Sequence, residues 1–509
     1  MKKRRMLFVA LLLIGCLPYF TNAAVSTPNT PPTQPQPSAT TPTDSSVIAA
    51  STDKSGFEKF RDWFHNPTDW FSQGADFRWR YVYAPNIDSL NNEAINRDYH
   101  FTRNRVRYWN KTKITDDVDF NIRWTWEFRT WDEPVRKDRN FDADEVVWDH
   151  FNLTVRNLFD LPLTMVAGKQ DIILGKGWLV AEGTPLDGSR TNTFDALRFT
   201  YDVPNRDTKL DLIYVFNRAD EDAWLRPFND HDRHFSEEDQ QGAIVYLTDK
   251  SNPNLQKEAY FIYKNSNPID TVPKDVPDPF PPYWPRKSEI FTFGGALSGP
   301  IASSEHWKYR TEGAFQWGKK ESKVSSSSEL LSGNQETFQA FGTVNRLEYH
   351  FNDKKKNILH GTFEYLSGDN PDNDKITAFD PLWGRWPQWS ELYIYTYILE
   401  TRIAETTNLY RFNIGHEMML TDKVSMSTDY HALFADENTE KDRPHPTIPL
   451  AFSSSGKFRG HLATWWLKYQ LTKNLKGHFV VEYFSPGNYY ASENRDPALW
   501  TRVNLEYTF

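Results

Sequence analysis

Three arginines occupy alternate positions of one short segment, at Arg103, Arg105 and Arg107. Because successive side chains of an extended strand point to opposite faces, these three guanidinium groups share one face. Each guanidinium offers a planar fork of N–H donors that pairs bidentately with a carboxylate. Three like charges on one face repel each other unless an anion offsets them. The spacing therefore predicts a surface that binds anions.

Other segments that alternate between polar and apolar residues place further charges on the same side as these three arginines. Their polar positions hold about fifteen cations, mostly arginine, and about ten carboxylates. Arginines mixed with acidic residues also serve as structural scaffolding, and this alternative stays open for each of them. The candidate substrate-contacting arginines of these segments are Arg78, Arg80, Arg103, Arg105, Arg107, Arg123, Arg129, Arg156, Arg198, Arg310 and Arg411.

The elements that must position these charges are amphipathic strands. Val118–Thr130 and Thr501–Phe509 alternate between apolar or aromatic residues on one face and polar or charged residues on the other. A long face rich in Trp would aggregate in water, so this face is expected to meet lipid. Water then lies on the charged face, which predicts a transmembrane β-barrel of the bacterial outer membrane. The edge strand of a soluble sheet is the alternative for the last segment.

The composition of the 509 residues favours a barrel over a bundle of membrane helices. Aromatic residues make up 15% of the chain, yet the mean hydropathy is only -0.69. Alternation dilutes the apolar residues of a barrel, and aromatic residues ring it at both membrane interfaces. The final residue, Phe509, resembles the aromatic signal that outer-membrane barrels present to their insertion machinery. Outer-membrane lipid and that machinery are therefore expected partners.

The N-terminus has the pattern of a secretory signal peptide. Lys2–Arg5 is positively charged, and Met6–Leu17 is apolar but too short to span a bilayer. Cleavage near Ala23 makes residues 1–24 the signal peptide, while a lipid-modified Cys16 is the alternative.

Three regions are expected after the signal peptide. Residues 25–56 are rich in Pro, Thr and Ser and cannot bury enough apolar surface to fold, so they form a flexible linker. Residues 57–72 contain aromatic residues at helical spacing and form a short amphipathic periplasmic segment. Residues 73–509 form the all-β, antiparallel barrel of outer-membrane porin type.

Polar connections set the number of strands. About eight short turns and about nine long loops alternate along the barrel region. Both chain ends should be periplasmic, so the count of antiparallel strands is even and about eighteen. Residues 391–400 also look strand-like but break this parity, so we place them inside the long loop 367–407. This loop and loop 168–193 are long enough to fold inward and constrict the lumen.

One longer segment carries a family resemblance. Gly168–Arg198 (GKQDIILGKGWLVAEGTPLDGSRTNTFDALR) contains a Gly-Lys-Gln turn, a Gly-Trp-Leu-Val run and a final Phe-Asp-Ala-Leu-Arg run. Together with the three alternating arginines, it resembles the signature of the alginate export family of outer-membrane porins. The resemblance implies an eighteen-stranded monomeric barrel with an electropositive, constricted lumen that passes an acidic exopolysaccharide outward.

Four charged residues of this segment either hold the loop together through polar contacts or line the passage. They are Asp187, Arg190, Asp195 and Arg198. Lys169 stands where the family commonly has arginine, which removes a bidentate contact at that turn.

These observations predict an outer-membrane channel for selective passive translocation, with export of an anionic polysaccharide such as alginate as the leading function. An uptake porin for small organic anions or sugars is the first alternative, and a barrel enzyme or adhesion scaffold is the second. No nucleophile lies in a motif that resembles a catalytic triad, so we expect no enzyme activity. We expect no cofactor, bound metal or nucleic acid, but we do expect periplasmic export proteins as partners and a monomeric state.

Overall fold

The computed structural model describes residues 55–94, 98–133, 143, 145–181, 193–220, 224–229, 236, 238–268, 287–321, 335–370, 372–401, 405–438 and 452–509. The predicted signal peptide 1–24, with Cys16, and nearly all of the predicted linker 25–56 lie outside these residues. Two candidate site residues, Asp187 and Arg190, also lie outside them.

In the part of the chain that the structure describes, nineteen β-strands belong to a single sheet. Eighteen of them contain 8 to 16 residues, whereas β14 contains 2. The strands are β1 (Phe71–Pro85), β2 (Asp98–Lys113), β3 (Val118–Glu133), β4 (Val146–Val155), β5 (Leu163–Gln170), β6 (Phe194–Asp202), β7 (Thr208–Val215), β8 (Glu238–Asp249), β9 (Gln256–Pro268), β10 (Ser288–Pro300), β11 (Trp307–Glu321), β12 (Gln335–His350), β13 (Ile358–Leu366), β14 (Lys375–Ile376), β15 (Leu409–Thr421), β16 (Val424–Phe434), β17 (Phe458–Gln470), β18 (Leu475–Pro486) and β19 (Ala498–Thr508).

The eighteen long strands close into an antiparallel barrel, because β1 pairs with β2 on one side and with β19 on the other. β13 pairs directly with β15, and β14 makes only a short parallel bridge to β12. The predicted eighteen-stranded antiparallel barrel is therefore confirmed. A closed barrel has no free sheet edge, so its backbone N–H and C=O groups are satisfied within lipid.

The two faces of the strands differ as the alternation predicts. Phe293 on β10 is 61% exposed on the outer face, and Phe77, Phe412 and Leu505 are exposed in the same way. Next to Phe77 in the sequence, Arg78 points inward and is buried. The aromatic residues therefore meet lipid, and the charged residues face the lumen.

Among the described residues, the eight short turns lie at one end of the barrel, and the strand ends that flank the nine longer connections lie at the other. The chain ends of the barrel meet at the short-turn end. There Phe509 N–H donates to Ala75 O at 2.8 Å, and Ala75 N–H donates to Phe509 O at 3.3 Å. Because short turns of outer-membrane barrels face the periplasm, this end is periplasmic and the longer connections are extracellular.

Helix α1 (Gly56–His65) precedes the barrel and lies almost entirely within the predicted segment 57–72. A reciprocal pair of hydrogen bonds fixes its start: Ser55 Oγ accepts from Glu58 N–H at 3.2 Å, and Glu58 Oε2 accepts from Ser55 N–H at 2.9 Å. The first strand begins at Phe71, slightly before the predicted start of the barrel at residue 73.

Of residues 391–400, all but Glu391 belong to the second helix, α2 (Leu392–Thr401), and none belongs to a spanning strand. The strand parity therefore placed them correctly in the long loop, although their alternation is misleading. The buried side chains Leu392, Tyr393, Thr396 and Tyr397 recur at helical spacing. Packing of this face overrides the β preference of Tyr, Ile and Thr.

Among the residues that the structure describes, neither helix has the length and apolar character needed to traverse a bilayer.

Candidate functional site in the barrel lumen

Two of the predicted arginines share one carboxylate where the barrel closes. Arg78 Nη2 on β1 lies 2.5 Å from Glu127 Oε1 on β3, and Arg103 Nε on β2 lies 3.0 Å from the same oxygen. Glu127 is completely buried. The repulsion between neighbouring guanidinium groups, which suggested an anionic ligand, is therefore offset here by a carboxylate of the protein itself.

Asp76 on β1 makes equivalent contacts with the other two alternating arginines. Arg105 Nη2 lies 3.0 Å from Asp76 Oδ1, and Arg107 Nε lies 2.7 Å from Asp76 Oδ2. Arg80 Nε donates to Asn504 Oδ1 on β19 at 2.7 Å. The fold thus brings five of the candidate arginines into one cluster.

Arginine dominates the inward face of β19, β1 and β2. We call their inward arginines the arginine stripe: Arg78, Arg80, Arg103, Arg105, Arg107 and Arg502. Among the inward positions of these strands, the carboxylates are Asp76 and Glu506. Every member of the stripe except Arg107 is buried. The stripe is therefore a cation-rich but largely covered part of the lumen wall.

Other candidate residues lie in separate ion pairs on the β3–β7 side of the barrel. Arg123 Nε lies 2.8 Å from Asp149 Oδ1, and Arg123 Nη1 lies 2.9 Å from Asp171 Oδ2. Arg198 Nε lies 2.8 Å from Asp211 Oδ1. Three more candidates are found here: Arg156 pairs with Asp119, Asp195 pairs with Lys169 at 3.0 Å, and Arg129 lies 5.3 Å from the centre of the Phe101 ring.

Two further candidates lie on other strands of the wall, Arg310 on β11 and Arg411 on β15. Arg310 contacts Glu258 at 2.8 Å and Glu312 at 2.7 Å, and Arg411 contacts Glu364 at 2.7 Å. These ion pairs are spread around the wall, so the fold does not assemble all the predicted residues into one site. Their geometry fits the alternative that the sequence left open, in which lumenal arginines serve as structural scaffolding.

The connection between β13 and β15, residues 367–408, folds against the lumen wall, and we call it the inward loop. Lys320 Nζ on β11 lies 2.8 Å from Asp380 Oδ2 of the loop. Lys264 Nζ on β9 donates to Leu382 O at 3.1 Å. The described part of this loop therefore narrows the lumen, as its length predicts.

The described part of loop 168–193 packs against the inward loop. Leu179 O accepts hydrogen bonds from Trp383 N–H at 3.0 Å and from Gly384 N–H at 2.9 Å. Ile172 is buried in the same apolar cluster as Trp383. Both loops that were expected to fold inward thus contribute to one packed constriction.

Apolar residues on the wall hold the inward loop in place. The sequence predicted a polar lumen and did not indicate these residues. Two glycines allow aromatic rings of the loop to lie on the wall. A Cβ atom at Gly242 would lie 2.4 Å from Trp383, and one at Gly342 would lie 2.6 Å from Phe379. Buried inward residues of neighbouring strands join the same cluster: Ile244, Ile262, Ile290 and Phe338.

A wall carboxylate caps the first turn of α2. Glu482 Oε1 on β18 accepts from Glu391 N–H at 3.1 Å, and its Oε2 accepts from Leu392 N–H at 3.0 Å and from Ser390 Oγ at 2.5 Å. The first N–H groups of a helix lack partners within it, so this contact satisfies them. The Glu391 side chain pairs with Arg502 of the stripe at 2.8 Å.

The other end of α2 is tied to β17 by a buried ion pair. Arg459 Nη1 lies 2.5 Å from Glu400 Oε2, and the side chains are 0% and 2% exposed. Tyr489 Oη donates to Glu400 Oε1 at 2.8 Å, and its ring lies 4.3 Å from the Arg459 guanidinium. The helix is therefore anchored to the wall at both ends.

Two loop carboxylates that face wall cations remain ionised over a wide pH range. Burial alone would raise the pKa of Asp380, but Lys320 and Lys264 outweigh it and hold that pKa below its ordinary value. Burial would also raise the pKa of Glu391, but Arg502 and Arg80 together outweigh it and lower that pKa. A carboxyl group whose pKa is lowered by folding stabilises the folded state at pH values above its ordinary pKa. This stabilisation is lost only as the pH falls through the lowered pKa. These two contacts between the inward loop and the wall are therefore expected to persist at neutral and mildly acidic pH.

Several of these anchoring residues were absent from the predicted set. Lys264 and Lys320 obey the same alternation as the predicted arginines, so applying the pattern to all of β9 and β11 would have found them. Glu400 and Arg459 are 59 residues apart, and neither carries a local signal of the other. Their pairing depends on the packing of α2.

The profile of the alginate export family matches residues 69–498, which is nearly the whole barrel. The chain belongs to the alginate export family. The assignment made from Gly168–Arg198 is therefore confirmed. No curated protein matches the chain significantly.

Solved porin structures are similar to this alginate-export-family protein at low sequence identity. A BenF-like porin from Pseudomonas fluorescens Pf-5 is 10% identical, with a TM-score of 0.51 over 86% of this chain and 98% of that one. OccK5 (OpdH) of Pseudomonas aeruginosa is 11% identical, with a TM-score of 0.48 over 86% of this chain and 98% of that one. Fold and family together make the protein a porin-type channel of the bacterial outer membrane.

Proposed function

We propose that this channel carries an anionic polysaccharide, such as alginate, outward by passive and selective translocation along its lumenal arginines. The arginine stripe carries the proposal, because guanidinium groups outnumber carboxylates at the inward positions of its three strands. Two guanidinium groups share Glu127, and two share Asp76. A uronate carboxylate that approaches such a shared pair meets more positive than negative charge.

The arginines that a polymer would meet first lie toward the periplasmic end. Arg107, Arg156 and Arg346 have side-chain exposures of 19%, 28% and 33%, in contrast to the covered part of the stripe. Each is paired with a carboxylate, so an incoming uronate exchanges one partner for another. Such contacts are strong enough to admit a charged chain and weak enough to release it. Displacement of the inward loop would then expose the rest of the stripe.

Uptake of small organic anions or sugars is the second candidate. The inward loop favours it, since α2 and its apolar contacts occupy lumen space that a polymer would need. We further propose that the protein acts as a monomer, because a single chain closes the barrel, and that periplasmic export proteins deliver the polymer.

Single-channel recording in planar bilayers tests the substrate class. Short uronate oligosaccharides added on the periplasmic side should interrupt the current in a concentration-dependent way, and raised salt should weaken this block. Neutral oligosaccharides of equal length are the matched control and should block far less. Equal block by the two kinds of sugar would contradict the proposal. Block by small organic anions without block by uronate oligomers would favour the uptake porin.

A further inference from the structure

Helix α1 presents an aromatic surface at the periplasmic end of the barrel. Phe57, Phe60 and Trp63 are 53%, 49% and 60% exposed, and Trp70, which follows the helix, is 57% exposed. A contiguous exposed apolar patch of this kind marks a site of contact with another phase or molecule. The proposed passage of anions through the lumen makes no use of it.

The aromatic residues of α1 lie on one face. At 100° per residue, Phe57, Phe60, Trp63 and Phe64 fall within an arc of about 120°. The opposite face carries the charged residues Glu58, Lys59 and Asp62. A helix of 10 residues is marginal in water on its own, so contacts of its apolar face must hold it in place.

One flank of the aromatic face packs on the last residue of the chain. The ring centroids of Phe57, Phe60 and Phe64 lie 5.8, 6.1 and 5.0 Å from that of Phe509. Aromatic pairs at these separations add to the free energy of burial. The contacts join the segment before β1 to the end of β19, which is the seam of the barrel.

Two polar contacts hold α1 at the periplasmic rim. Arg61 Nη1 donates to Asn474 Oδ1, in the turn between β17 and β18, at 2.7 Å. His65 Nδ1 lies 2.8 Å from Gln73 O at the start of β1. The helix is therefore positioned at the level where the strands end.

The aromatic face of α1 is continuous with the lipid-facing surface of the barrel. Val503 and Leu505 are exposed on the outer face of β19, and alternation places Tyr507 and Phe509 on that same face. Aromatic residues at the end of a lipid-facing strand lie at the boundary between acyl chains and headgroups. The aromatic residues of α1 continue this set of boundary residues at the periplasmic end of the β1–β19 seam.

We propose that α1 lies in the headgroup region of the periplasmic leaflet, with its aromatic face against the acyl-chain boundary and its charged face in water. Phospholipid is the partner of this surface. The helix thereby anchors the seam between β1 and β19 to the membrane. Because its charged face bears both signs, apolar contact drives the binding, and raised salt leaves it in place.

Spin labels on single-cysteine variants of the full chain, with Cys16→Ser as background, test this placement, since residues 25–509 contain no cysteine. Trp63→Cys and Phe57→Cys sample the proposed lipid side, and Asp62→Cys samples the opposite side. Lys355→Cys, in a short periplasmic turn, is the aqueous control. The labelled protein is reconstituted in vesicles of phosphatidylethanolamine and phosphatidylglycerol, and heat-dependent mobility on SDS gels verifies the folded barrel.

At Trp63→Cys and Phe57→Cys, collisions with oxygen, which dissolves in lipid, should exceed those with a water-soluble nickel complex several-fold. The ratio should invert at Asp62→Cys and Lys355→Cys. Nickel access at residue 63 equal to that at residue 355 would overturn the proposal. So would a label at residue 63 that neither reagent reaches, since a protein surface, such as residues 25–54 or a second copy, would then cover the helix.

Discussion

Replacing Glu400 by alanine is expected to raise the single-channel conductance several-fold. The Glu400–Arg459 pair is almost completely buried and joins the end of α2 to β17. Removing one partner of a buried ion pair costs about 3–5 kcal/mol, because the other charge is left uncompensated. Arrangements in which α2 moves away from the wall and Arg459 gains water then become favourable. The inward loop would occupy less of the lumen, and more ions would pass per unit time.

A double variant distinguishes the effect of an unpaired buried charge on Arg459 from the effect of losing the Glu400–Arg459 contact. Replacing Glu400 by Leu and Arg459 by Met removes both charges and keeps apolar packing, so its conductance should stay near that of the native protein. Asp211→Ala leaves Arg198 unpaired on β6, away from α2, and should not raise the conductance. A folded Glu400→Ala barrel with native conductance would show that α2 does not limit the pore.

Replacing Arg103, Arg105 and Arg107 together by Gln is expected to lower the chloride-over-potassium permeability ratio about tenfold, since lumenal charge produces potentials of several kT. Three guanidinium groups disappear, whereas the carboxylates of Asp76 and Glu127 remain. The cluster of guanidinium groups around Asp76 and Glu127 then falls from five to two, Arg78 and Arg80, which equals the number of these carboxylates. Reversal potentials in a KCl gradient measure the change.

The matched control removes the same charge outside the lumen. Lys354, Lys355 and Lys356 lie in the periplasmic turn between β12 and β13, and their replacement by Gln should shift the reversal potential only slightly. If the two triple variants shift it equally, net charge and not the position of the stripe determines selectivity. An unchanged potential in the stripe variant would remove these arginines from the pathway.

The strands were predictable because alternation is a local property. Val118–Thr130 shows it in the sequence, and β3 spans Val118–Glu133 in the structure. Parity then fixed the strand number, because short turns and long loops must alternate between the two ends of a barrel. The inward direction of the arginines followed from the same period of two residues.

The constriction was only partly predictable, because its details depend on contacts between distant residues. Length indicated that the long loops fold inward, yet no local pattern marks Glu482 as the cap of α2, 90 residues away. Residues 391–400 have the composition of a strand, and only burial against the wall makes them helical. The same packing covers most of the stripe, so the sequence predicted which arginines point inward but not which ones water reaches.

The reversal potential of the unmodified protein in a KCl gradient tests most directly whether the lumen favours anions. A potential displaced toward the chloride equilibrium value is the result that a guanidinium-rich wall predicts. A potential displaced toward the potassium value would contradict it, because the carboxylates would then dominate the conducting path.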